Sequence, residues 1–205
     1  MKENYRIYTN VKLGLDTIIE DYCIIGVPAR GQEEGNLKTI IGPNAHIRSH
    51  TVIYAGNRMG KNFQTGNKVN IRELNEIGDN VSIGTLSVIE HHVYIANNVR
   101  IHSQAFVPEY TTLEENTWIG PNVVLTNAKY PLSPGVKNHI KGPTIKKGAI
   151  IGANATILPG VIIGEKAIVG AGSVVVHNIP DCAVFAGNPA KKIKDISELP
   201  YKEED

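Results

Sequence analysis

Aliphatic residues return at every sixth position along most of this chain. From Ile41 the beat falls on Ile47, Ile53, Met59, Ile71, Ile77, Ile83, Ile89, Ile95, Ile101, Val107, Leu113, Ile119 and Leu125, with Thr65 as the one exception. Ile7, Leu13, Ile19 and Ile25 carry it earlier, and Ile145, Ile151, Ile157, Ile163, Val169 and Val175 carry it later. Four residues beyond each lead stands a mostly small or β-branched residue, among them Ala45, Thr51, Val69, Val81, Ser87, Val93, Val99 and Ala105. A period of six matches neither the 3.6 of a helix nor the two of a plain strand. A β-sandwich would show two-residue alternation with irregular turn spacing. What fits is a run of short strands joined by sharp turns, each sending one large and one small residue inward, with Gly, Asn and Asp at bends where φ turns positive.

Such a unit cannot bury its inner face alone, but stacked copies can. The pattern therefore predicts an all-β parallel β-helix, a hexapeptide-repeat solenoid with three hexads per triangular coil. Successive coils would rise by about 4.8 Å, one strand spacing. The beat is interrupted twice, by "GVPARGQEEGNLKT" near residues 26–40 and by a Pro- and Gly-bearing segment over 128–143. The later one is too long for a plain connection and reads as a loop over a cleft, because a flat solenoid wall has no concavity of its own. The first interruption reads either as a substrate cover or as a cap on the prism. Residues 1–189 form the β-helix domain in this reading, and 190–205 a C-terminal tail with a short basic helix.

Bulk composition narrows the partners. Twenty-one Lys and Arg against 20 Asp and Glu leave no broad positive field for nucleic acid or an anionic membrane. The start "MKENYRIYTNVKLG" lacks a signal-peptide core and no run approaches a membrane span, so a cytoplasmic location is expected. Cys23 and Cys182 are too few for a disulfide framework and read as buried fillers.

The hexads resemble those of the left-handed β-helix acyltransferases. The match is most specific at "IGANATILPGVIIGEKAIVGAGSVVVHNIPDCAVFAGNPAKKI", which is similar to the closing coils and tail of acetyl-CoA-dependent members. "LEENTWIGPNVVLTNAKYP" resembles the sugar-nucleotide enzymes that N-acetylate a 3-amino group. The resemblance implies a left-handed coil, a homotrimer with sites between neighbouring prisms, acetyl-CoA as acyl donor and a nucleotide amino sugar as acceptor. It places a functional Asn at Asn127, where galactoside-type relatives carry a catalytic His. By position it also implies that Ala153, Ala171, Val176 and His177 line the pantetheine arm, and that Lys191 and Lys194 reach the phosphates of coenzyme A.

Asn127 cannot take a proton, which favours an amine acceptor over a hydroxyl. Counting by 18 puts Asn127, Glu109, His91 and Glu73 in one outward column, where a His between two carboxylates would tend to hold its proton. A solvated ladder of alternating charge is the plain alternative. His102 sits at another hexad position and could meet Asn127 only across a subunit boundary, as a general base. His46, His50 and His92 rank below it. Arg48 and Arg72 are candidates for phosphate contacts. Rival readings are O-acetylation and, from the seven His, a zinc hydratase of the γ-carbonic anhydrase kind, although no His-x4-His pair occurs.

Overall fold

In the computed structural model, which describes residues 4–200, the beat becomes a left-handed parallel β-helix of triangular section. Its first face has nine strands, from Arg6–Ile7 to Val174–Val175. The second has eight, from Val11–Leu13 to Ile162–Ile163, and the third has ten, from Ile18–Ile19 to Lys191–Asp195. Most strands are two residues long and pair in parallel with the strand 18 residues away, as Asn70 with Val88 and Ile71 with Ile89. The turns that join the faces form three edges. Here the first edge runs from first to second face, the second from second to third, and the third from third back to first.

Inside, lead residues from Ile25 to Val175 stack as one continuous buried column per face, and each fully buried Ile contributes about 2–3 kcal/mol. Ile7 and Leu13, in the first described coil, are 39% exposed, and Cys182, expected to be buried as Cys23 is, is exposed because it occupies a left-handed turn. Every sixth residue turns left-handed to make the bend. On the second edge that residue is Asn44, Asn62, Asn80, Asn98 and Asn116, a type that tolerates the conformation. Their amides form a ladder, Asn62 Nδ2 donating to Asn80 Oδ1 at 2.7 Å and Asn80 Nδ2 to Asn98 Oδ1 at 2.9 Å. On the first edge the same place holds Leu74, His92 and Tyr110, with φ of 61°, 56° and 62°. Each costs about 1–2 kcal/mol there. The core is not purely apolar. Asn57 and Asn75 are fully buried beneath the first edge, Asn75 Oδ1 accepting from the Val93 amide at 2.7 Å and its Nδ2 donating to the Arg72 carbonyl at 2.8 Å.

Both interruptions leave the helix at the first edge. The offset between paired strands on the second face rises from 18 to 28 residues at Val11 with Thr39, and to 32 at Thr112 with Thr144. The early loop folds back on the first coil, Asn10 Nδ2 donating to the Gly35 carbonyl at 2.7 Å. The later one is pinched at its base by the Lys141 amide donating to the Asn127 carbonyl at 2.9 Å, with a single 3-10 turn over Val136–His139 between.

The expected C-terminal helix is corrected here. Lys191–Asp195 form a strand antiparallel to Ala183–Ala186, closing the third face, and only Ile196–Glu198 make a 3-10 turn. The open edge left by the last parallel strand offers a row of backbone donors and acceptors, and pairing with it satisfies more groups than a short isolated helix can. The part of the tail reading that covers 201–205 lies outside the described residues.

Candidate functional site

On the first edge, stacking joins a set of titratable and amide side chains. Residues 18 apart sit one above another, so side chains too distant in sequence to meet become neighbours about 4.8 Å apart. Asn127 Nδ2 donates to Glu109 Oε2 at 2.6 Å, and Glu109 Oε1 meets His91 Nε2 at 3.0 Å. Three of the four residues in the expected column are thus joined through one carboxylate, with His91 and Glu109 each about a quarter exposed. His91 Nδ1 lies 2.8 Å from His92 Nδ1, and the His92 ring lies beside that of Tyr110, centroids 5.6 Å apart.

The fourth member behaves differently from the expectation of a His held between two carboxylates. Glu73 is gripped from the side by Arg72, whose Nε and Nη2 donate at 2.9 and 3.0 Å, and Arg72 Nη1 reaches Glu90 at 3.4 Å. The Arg72 guanidinium also lies over the Tyr54 ring at 5.1 Å. Burial pushes the Glu73 carboxyl up, but the Arg72 bonds and charge outweigh it and leave it below the ordinary range. Arg72 is itself held in its charged form by the bond to Glu73. Its donors are turned inward to carboxylates rather than outward to phosphate. Arg48 likewise faces Glu20, at 3.5 Å.

His102 lies on the third edge, in a column otherwise made largely of Gly66, Gly84, Gly120, Gly152 and Gly170. Its ring lies against Trp118, centroids 4.5 Å apart, and its buried Nε2 has no hydrogen-bond partner. Burial, then the charge of Arg100, lowers its pKa and favours the neutral ring. A single chain does not bring it to Asn127. The positions implied for the cofactor divide in the same way. Ala153 and Ala171 stack on the third edge, Val176 and His177 follow the last strand of the first face onto the first edge, and Lys191 and Lys194 lie on the closing strand of the third face. The "AGNPAKKI" segment leading to those lysines contains a cis Asn188–Pro189 peptide.

Three features escaped the sequence reading. The buried Asn57 and Asn75 replace the expected small apolar residue, and their place four residues after a lead is the signal that marks them. His92 was legible as a neighbour of His91, but its bond to that ring depends on the left-handed turn. The early loop shares an edge with the later one, which follows from both beginning after a first-face strand.

Comparison with known proteins adds an independent line. The model described as "Bacterial transferase hexapeptide (six repeats)" matches residues 76–109 and 142–177. The galactoside O-acetyltransferase of Escherichia coli (strain K12) is 28% identical over 170 residues, covering 76% of this chain and 81% of that protein. The dTDP-3-amino-3,6-dideoxy-alpha-D-galactopyranose 3-N-acetyltransferase of Aneurinibacillus thermoaerophilus is 64% identical over 47 residues, 23% of this chain and 24% of that one. Against other curated relatives, one of them from Saccharomyces cerevisiae, the chain spans 60% of their length or less. The crystal structure of the polySia specific acetyltransferase NeuO shares the fold, with a TM-score of 0.53 at 20% identity over 99% of this chain and 91% of that one.

Proposed function

We infer that this chain, which belongs to the hexapeptide-repeat acyltransferases, moves an acetyl group from acetyl-CoA to the amino group of a nucleotide-linked sugar and works as a homotrimer. One observation carries the reading. Both excursions leave at the same edge and bracket the hydrogen-bonded series Asn127, Glu109 and His91. Loops that project from a flat wall can supply the concavity it lacks, and convergent polar groups beside them are what a binding site requires.

The chemistry follows from the donor set. With its Nδ2 donating to Glu109, Asn127 offers its side-chain Oδ1 to an N–H of the acceptor. It orients an amine that attacks in its neutral form, and the proton released on attack goes to another group. The likeness to the 3-N-acetyltransferase of A. thermoaerophilus supports the same acceptor class. For the donor, Ala153 and Ala171 offer a small-residue track beside a glycine column, and Lys191 and Lys194 offer positive charge for phosphate. These groups lie on different elements from Asn127, and a neighbouring copy would bring a third edge to a first edge, adding His102 to the site. The outer side of the first face supports such packing, with Val88, Phe106 and Val124 in one column above Asn70, the last two 37% and 40% exposed.

A second reading is O-acetylation. The 3.0 Å approach of His91 to Glu109 favours it, because a carboxylate-held His can activate a hydroxyl. The deciding experiment incubates the purified protein with acetyl-CoA and matched nucleotide sugars bearing an amine or a hydroxyl at one position, and follows thiol release and product mass. Transfer to the amine alone is expected. Transfer only to the hydroxyl would overturn the acceptor assignment, and transfer to neither would overturn the nucleotide-sugar reading.

A further inference from the structure

We propose that the atom which accepts the acceptor's proton is His92 Nε2, and that His91 and Glu109 position it and hold the resulting charge. This rests on the acetyl-transfer reading for its chemistry, but its core is a count of hydrogens. An ionised Glu109 can only accept, so the hydrogen in its 3.0 Å contact with His91 belongs to His91 Nε2. A neutral His91 then has a bare Nδ1. The 2.8 Å contact between His91 Nδ1 and His92 Nδ1 closes only if His92 supplies the hydrogen. A neutral His92 protonated on Nδ1 has its free lone pair on Nε2, the one unused ring nitrogen of the pair.

Placement agrees with the count. His92 is exposed, whereas His91 is partly covered, and His92 occupies the left-handed turn that pushes its ring outward between the two loops. The groups around it are His91 and Tyr110 by ring contact, Glu109 through His91, and Glu73, whose carbonyl accepts the His92 amide at 3.4 Å, with Arg72 and Glu90 beyond Glu73. As the amine attacks, the C–N bond forms and the C–S bond breaks. The nitrogen's proton passes to His92 Nε2, the shared hydrogen slides from His92 Nδ1 to His91 Nδ1, and the positive charge settles beside the Glu109 carboxylate. Reversal of the slide delivers the proton to the departing thiolate. No further reactant is needed.

The test has a readout that does not depend on activity. Long-range proton–nitrogen correlation spectra of the 15N-labelled full chain, with signals assigned through His92→Asn, report which nitrogen carries hydrogen in each neutral ring. Hydrogen on Nδ1 of His92 and on Nε2 of His91 is expected; hydrogen on His92 Nε2 overturns the proposal. In turnover, His92→Asn retains a donor toward His91 but no base, and kcat for an amine acceptor should fall about 100-fold with KM for acetyl-CoA unchanged. The basic group should also vanish from the pH–rate profile. A kcat within threefold of wild type, at an unchanged melting temperature, overturns the proposal. A wild-type protein that acetylates no amine would overturn the proposed function instead, and the spectra would still decide the tautomers.

Discussion

Replacing Glu109 by Gln changes one atom and almost no volume, which makes it the sharpest perturbation of the first edge. The carboxylate accepts from Asn127 at 2.6 Å and faces His91 at 3.0 Å. A Gln amide offers one oxygen and one NH2, so either both partners share the oxygen or His91 must change tautomer to accept from the NH2. A hydrogen bond to a charged group contributes about 1.5–3 kcal/mol, and Glu109 is 26% exposed, so screening by solvent trims the loss to about 1–2 kcal/mol. For a chain of this length that lowers the melting temperature by about 3–6 °C. Activity should suffer more, because Asn127 and His91 lose their common anchor and a misplaced acceptor costs about 100-fold in rate. Initial rates of thiol release with an amino-sugar nucleotide, set beside thermal unfolding, separate the two effects. A variant that melts several degrees lower yet transfers acetyl at the wild-type rate would refute the reasoning, since the series would then be only a surface ladder.

Further outcomes follow from the same geometry. Asn75→Ala leaves the Val93 amide without its 2.7 Å acceptor and opens a small void, and should cost about 2–3 kcal/mol in denaturant unfolding, with faster hydrogen exchange at Val93. Glu73 has a lowered carboxyl pKa, so its contribution is complete above its ordinary value of 4.5 and is lost as pH falls through the folded value. In Arg72→Met the chief group that lowers Glu73 is gone while burial remains, so its pKa should rise and the loss of stability in acid should shrink, read by melting across roughly the carboxylate range of pH. Gly84→Ala would drive a Cβ into the backbone of His102 and Ser103 in the next coil, and should destabilise by about 1–3 kcal/mol while shifting the Trp118 fluorescence next to His102. Purified protein should sediment as a trimer, and Phe106→Glu on the outer side of the first face should reduce it to monomer.

The six-residue beat was enough to determine the solenoid, because a period of six is sterically satisfied by few backbone paths and each lead residue must be buried with its equivalents above and below. It also determined the column of Asn127, Glu109 and His91, since a coil of constant length turns residue arithmetic into geometry. The hydrogen bonds made by the inner Asn57 and Asn75, the grip of Arg72 on Glu73 and the contact between the His91 and His92 rings were decided by the tertiary structure. Each depends on which way a side chain turns at a left-handed bend, and several rotamers there satisfy the same periodicity. The tail shows the limit most clearly. "PAKKIKDI" has a sequence that a helix or a strand could use, and the exposed backbone of the third face settled it as a strand, because unpaired sheet-edge groups are satisfied only by a chain that runs alongside them.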